Sequence, residues 1–114
     1  MTIVTRLRLL ELHARLTKEA VELMQLKNAD YGASADALAN FRLSELVGIP
    51  MESGIICRLC DKVARIGHIV TSGKVNVKAE TVQDTLVDAI NYLVILAAAI
   101  EEREVNNVQP NSGD

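Results

Sequence analysis

The chain has 114 residues, a formal net charge of −3 and no Trp. Domains usually run to roughly 100–150 residues, so one domain fits and a second does not. The acidic balance gives nucleic acid and anionic membranes no general hold on the protein, and neither is an expected partner.

Hydrophobic residues make up 49 % of the chain but aromatics only 3 %, so the apolar content is Leu, Ile, Val and Ala, side chains suited to seams between helices. A domain this small buries its core incompletely, and the surplus aliphatic surface predicts a homo-oligomer. No apolar segment follows a basic N-terminus, and the longest apolar run, Tyr92 to Ile100, is far short of the ~20 residues that span a bilayer. Cys57 and Cys60 form a lone C-x-x-C without a second pair or neighbouring His. They read as small buried hydrophobes in a reducing compartment, which places the protein in the cytoplasm.

In chain order, Leu9, Leu12, Leu16, Ala20, Leu23 and Leu26 recur at helical spacing between Ile3 and Leu26 and predict a first long helix, with Glu11 and Arg15 placed to pair one turn apart. Lys27-Asn28-Ala29-Asp30-Tyr31-Gly32-Ala33-Ser34 reads as a turn. Ser34 or Asp36 can cap a short second helix reaching Val47, which Gly48 and Pro50 stop. Ser53 is the expected cap of a third helix, with Ile55, Ile56, Leu59, Val63, Ile66 and Val70 on its apolar face and Ser72-Gly73 at its end. Lys74–Lys78 reads as a loop. The last helix is predicted from Ala79 to about Arg103, with Val82, Leu86, Ile90, Leu93, Leu96, Ala97 and Ile100 in its stripe. The expected fold is all-α: a compact four-helix bundle with two long helices, a single domain over 1–104, and a flexible tail over 105–114.

Three polar groups interrupt this pattern. On the last helix Glu80, Asp84, Asp88 and Asn91 fall along one face. Carboxylates so spaced repel one another unless a cation joins them, and two of them, Asp84 and Asp88, suit a Mg²⁺ that keeps waters and phosphate as its other ligands. A helix N-terminus in solvent accounts for Glu80 and partly for Asp84, less well for Asp88 and Asn91. On the third helix Arg58, Asp61, Lys62 and Arg65 share a face, either as a phosphate grip or as ordinary ion pairs, Asp61 with Arg65 and Lys62 with an acid of the last helix. The third group is the Lys27–Gly32 loop with Asn40-Phe41-Arg42. The three aromatic rings, Tyr31, Phe41 and Tyr92, either sandwich a base or plug the bundle ends. His13 and His68 stand alone, and no phosphate-binding glycine loop occurs.

Taken in order, Lys27…Asp30-Tyr31-Gly32, Asn40-Phe41-Arg42, Gly54…Arg58-Leu59-Cys60-Asp61-Lys62…Arg65 and Glu80…Asp84-Thr85…Asp88…Asn91-Tyr92 resemble the nucleotide modification associated domain 1 family, which is common in bacteriophages and lies near the MazG-like nucleotide pyrophosphohydrolases. The resemblance implies a MazG-like helical fold and a nucleotide ligand. It also implies Asp84 and Asp88 as catalytic metal ligands for Mg²⁺, with Lys27, Asp30, Tyr31, Asn40, Phe41, Arg58, Asp61, Lys62, Arg65, Asn91 and Tyr92 around the ligand. The sequence departs from the MazG-like pattern where that group carries glutamates. The third helix has Arg58, Lys62 and Arg65, and Thr85…Asp88 replaces E-x-x-D. Fewer carboxylates and more cations shift a site from holding metal toward holding phosphate directly. Two functions stand open, a Mg²⁺-dependent hydrolase of nucleotide phosphates and a non-catalytic sponge for a nucleotide or cyclic nucleotide of host antiviral defence. A purely structural helical adaptor is the third alternative.

Overall fold

The computed structural model describes residues 1–30, 35–72 and 79–108, the side chains of 29–30 and 79–81 excepted. Among these residues every regular element is helical: α1 (Arg6–Asp30), a 3-10 helix (Ala39–Val47), α2 (Met51–Ser72) and α3 (Ala79–Val108). The fold is all-α. The Lys74–Lys78 loop, Tyr31, Gly32 and residues 109–114 lie outside the described residues.

Local chemistry sets the boundaries. Thr5 caps α1: its Oγ1 accepts the N–H of Arg8 at 3.1 Å, so the helix starts at Arg6 rather than Ile3. It continues four residues past Leu26, to Asp30, with Lys27 in its last turn. The predicted second helix forms as nine residues of 3-10 helix, long for that geometry. Asp36 turns the chain into it, its Oδ1 accepting the N–H of Leu38 at 3.0 Å. Gly48 ends it at φ 79°, in the left-handed region, with Ile49 N–H on Ser44 O (3.0 Å) and Gly48 N–H on Glu45 O (3.1 Å).

The third helix begins at Met51, not at a Ser53 cap. The carbonyl of Pro50 already accepts the N–H of Gly54 at 3.2 Å, and Ser53 sits exposed in the first turn. Glu52 favours that first turn electrostatically. The last helix outruns its expected end at Arg103 and is still helical at Val108, so the first four residues of the expected tail belong to α3.

Packing is centred on α3. Among the described residues its backbone lies close to both α1 and α2, whereas the backbones of α1 and α2 do not approach each other. α2 and α3 are antiparallel, tied by Lys62–Asp88 at 3.1 Å and Glu52–Arg103 at 3.1 Å. α1 runs in the same sense as α3. Arg15 and Glu19 hold opposite ends of the Gln83 amide (3.0 and 2.6 Å), and Asn91 donates to the Ala20 carbonyl (3.0 Å). The core joins Leu38, Met51, Ile55 and Ala99, with Phe41, Ile95, Leu96 and Ala98 against it. Ala20, Val87 and Thr85 are buried where the long helices approach.

The bundle is open rather than compact. Its radius of gyration is 17.8 Å and its extents are 66 × 31 × 26 Å; a compact chain of this length has a radius of about 13 Å. Much of each predicted apolar stripe is therefore outside the core: Leu9, Leu26, Ile56, Val63, Val70 and Leu93 are all exposed. α3 is also long and apolar enough, by length and composition, to cross a membrane: an 18-residue window within Val82–Val108 has a mean hydropathy of 1.4. Its polar side chains Gln83, Asp88 and Asn91 are nonetheless engaged with α1 and α2, which makes α3 the packing spine of the bundle.

Candidate functional site

The cationic group on α2 divides once the helix packs. The side of α2 facing α3 carries Met51, Ile55, Leu59, Lys62 and Ile66, so Lys62 interrupts an otherwise apolar stripe. Lys62 turns inward, and its Nζ lies 3.1 Å from Asp88 Oδ2, with 20 % and 24 % of the two side chains exposed. The ion-pair reading of Lys62 holds. Arg58, Asp61 and Arg65 stay exposed on the outer flank. Asp61 and Arg65 form no ion pair with each other, so both charges face solvent.

Phe41 connects this flank to the core. The 3-10 helix lays its ring partly on the core cluster, and the Arg58 guanidinium sits over the ring face, 5.0 Å from its centroid. That contact restrains a long side chain while leaving its outer plane and donors to solvent. Arg65 follows two turns later, roughly 10 Å along the axis. Close packing of the 3-10 helix on α2 depends on Gly54, where a Cβ would stand 3.2 Å from Ser44 Oγ.

The remaining expected site residues fall elsewhere. Asn40 is exposed on the 3-10 helix, and Lys27 is exposed near the end of α1. The backbone of Asp30 closes α1, while its side chain, like that of Glu80, lies outside the described residues. Tyr92 is half-buried on α3, and Asn91 spends its amide on Ala20 O, a structural use that binds α1 to α3. His13 and His68 are exposed on different helices. Cys57 and Cys60 are free and exposed rather than buried, because neither position faces α3.

Asp84 and Asp88, the expected Mg²⁺ pair, are not two equivalent free carboxylates. Asp84 is exposed, Asp88 is already neutralised by Lys62, and Thr85, one residue from Asp84, is buried at 3 %. Among the described residues no three His, Cys, Asp or Glu side chains gather where they could hold an ion.

The most strongly built polar cluster lies at the other end of α3, and sequence reasoning did not single it out. The Arg42 guanidinium meets Glu102 through two hydrogen bonds (2.7 and 2.8 Å) and Asp36 through two more (2.6 and 3.0 Å). These bonds hold both carboxyls below their ordinary pKa and raise that of Arg42, chiefly through Glu102. Beside the clamp, Met51, Glu52, Arg103 and Asn106 border a shallow cleft of about 340 Å³. Four of its charges are committed to one another, Arg42 to Glu102 and Glu52 to Arg103, which suits a brace more than a ligand site. Arg42 stood out in the sequence only within Asn40-Phe41-Arg42, and nothing near it pointed to Glu102, sixty residues away.

No family model, curated protein or solved structure matches this chain.

Proposed function

We propose that this chain binds a phosphate-bearing nucleotide on the outer flank of α2 and holds it directly, without a metal ion. The observation behind this reading is Arg58 seated over Phe41 at 5.0 Å, with Arg65 exposed two turns along the same flank. Two guanidiniums offer forked donors to phosphate oxygens, and the outer plane of Arg58 offers a stacking surface for a base. Asp61 between them accepts hydrogen bonds from a sugar hydroxyl or a base amino group. The resemblance of the Arg58–Arg65 segment to the phage nucleotide family supports the same ligand class, and with it a sequestering role in the cytoplasm of an infected host. Lys62 on Asp88 favours binding over Mg²⁺-dependent hydrolysis.

The test is a thermal melt against linear and cyclic nucleotides, each with Mg²⁺ and with EDTA. A ligand at 100 times its Kd adds about 2.7 kcal/mol of stability. The expected result is stabilisation that survives EDTA, with the nucleotide recovered intact, and that disappears in Arg58→Ala and Arg65→Ala. Release of phosphate or pyrophosphate in the presence of Mg²⁺ would establish the hydrolase instead. Absence of any shift across the panel would overturn nucleotide binding altogether.

A further inference from the structure

α1 carries two apolar stripes, and only one has a partner. Leu12, Leu16, Ala20 and Leu23 face α3. About a third of a turn away, Leu7, Leu10, Ala14, Thr17, Val21 and Met24 follow one another at intervals of three, four, three, four and three, the spacing of a helix–helix seam. Along this second line Leu7 and Leu10 are each 67 % exposed and Val21 55 %. The polar member is already satisfied: Thr17 Oγ1 donates to His13 O at 2.7 Å, so its methyl is what the seam presents. The N-terminal half of α1 is uncovered on the α3 side as well, where Leu9 is 63 % exposed.

We infer that this seam pairs with the same seam of a second copy of the chain, antiparallel about a two-fold axis between Ala14 and Thr17. In that register Leu7 meets Met24 of the partner subunit, Leu10 meets Val21 of the partner subunit, and the small Ala14 and Thr17 of each chain oppose at the centre. One flank is complementary in charge. Glu11 and Lys18 lie on one side of the seam, seven residues apart, and the two-fold axis sets Glu11 opposite Lys18 of the partner subunit twice. Their contacts within α1, Arg8–Glu11 at 3.3 Å and Lys18–Glu22 at 4.0 Å, are exposed and compete weakly. On the other side His13 faces Ala20 of the partner subunit, and Arg6 falls opposite Lys27 of the partner subunit, a like-charge contact at the exposed ends that water screens. The antiparallel sense also lays each uncovered N-terminal half along the body of the other subunit, whereas a parallel pair would leave those halves only each other. The open shape of the monomer, 66 Å in its longest extent, follows from a fold whose α1 is half of an intermolecular pair. This pairing does not depend on what α2 binds.

Light scattering behind size exclusion on the full chain should give a dimer. Leu7→Glu with Leu10→Glu should give a monomer of unchanged helical circular dichroism, while Val70→Glu, on an exposed apolar position of α2, should stay dimeric. Glu11→Lys should weaken the dimer Kd about tenfold, and adding Lys18→Glu should restore it, because only the antiparallel register re-pairs the exchanged charges. A wild-type monomer at high concentration overturns the proposal, as does a dimer indifferent to the Leu7 and Leu10 changes. A double charge exchange no tighter than Glu11→Lys alone overturns the antiparallel register, and that readout also serves if the leucine variant fails to fold.

Discussion

Lys62 Nζ lies 3.1 Å from Asp88 Oδ2, joining the middle of α2 to the first half of α3 with about a fifth of each side chain still exposed. The pair sits where the resemblance implies metal chemistry, and it gives Asp88 a cation from the protein itself. Lys62→Met and Asp88→Asn each leave one charge half-buried without its partner, at a cost of roughly 1–3 kcal/mol. The double variant should cost less than the sum of the two. Urea titrations of all four proteins measure that coupling. Strict additivity would mean that the two side chains do not interact in solution.

Arg42 sets the acid limit of stability. Asp36 and Glu102 have folded pKa values below their ordinary ones, so their contribution is complete above the usual carboxylate range and is lost as pH falls through the depressed values. Roughly a third of each side chain meets solvent, and water tempers the effect. In Arg42→Met the two carboxylates lose what depresses them. The acid limb of the Tm–pH profile should then flatten, with the largest loss of Tm near neutrality and convergence with wild type below pH ~3. A loss of equal size at every pH would assign Arg42 a purely steric role.

Much of this architecture was legible because it is local. Gly48-Ile49-Pro50 stops one helix and starts the next through backbone geometry that a few residues dictate. The α-helices follow the spacing of their leucines, valines and isoleucines. The hidden part depends on partners far away in the chain. Nothing near Arg42 announces Glu102, and nothing near Asn91 announces the Ala20 carbonyl. Lys62–Asp88 was open to anticipation, as an alternative, because Lys62 stood among the apolar residues of its helix and the last helix offered several acids to pair with it. Compactness failed as an expectation because apolar periodicity shows which side of a helix needs cover. It does not say that the cover comes from the same chain.

The two glycines within α2 should respond oppositely to a methyl group. At Gly67 an added Cβ meets nothing within 4 Å, so Gly67→Ala gains helix propensity and should stabilise by about 1 kcal/mol. At Gly54 the same change presses on Ser44, 3.2 Å away, and the 3-10 helix must shift. Gly54→Ala should show no such gain, and Gly54→Ala with Ser44→Ala should recover part of it. Chemical denaturation gives the comparison directly.

Asn91→Leu tests how α1 is held. It removes the donor to Ala20 O and leaves that carbonyl half-buried without it, at a cost of about 1 kcal/mol. Hydrogen exchange should quicken through α1 and leave the α2–α3 hairpin protected. Uniform loss of protection would mean that the three helices open as one unit.

Because α1 reaches the rest of the chain only through α3, its ties to Gln83 and Asn91 close loops of some seventy residues, whereas the α2–α3 hairpin and the 3-10 helix beside it assemble from nearer neighbours. Long loops are slow to close and gain nothing until they do. The hairpin is therefore expected to form before α1 docks, and a nascent chain keeps its leucine-rich first helix uncovered by α3 until α3 has been made.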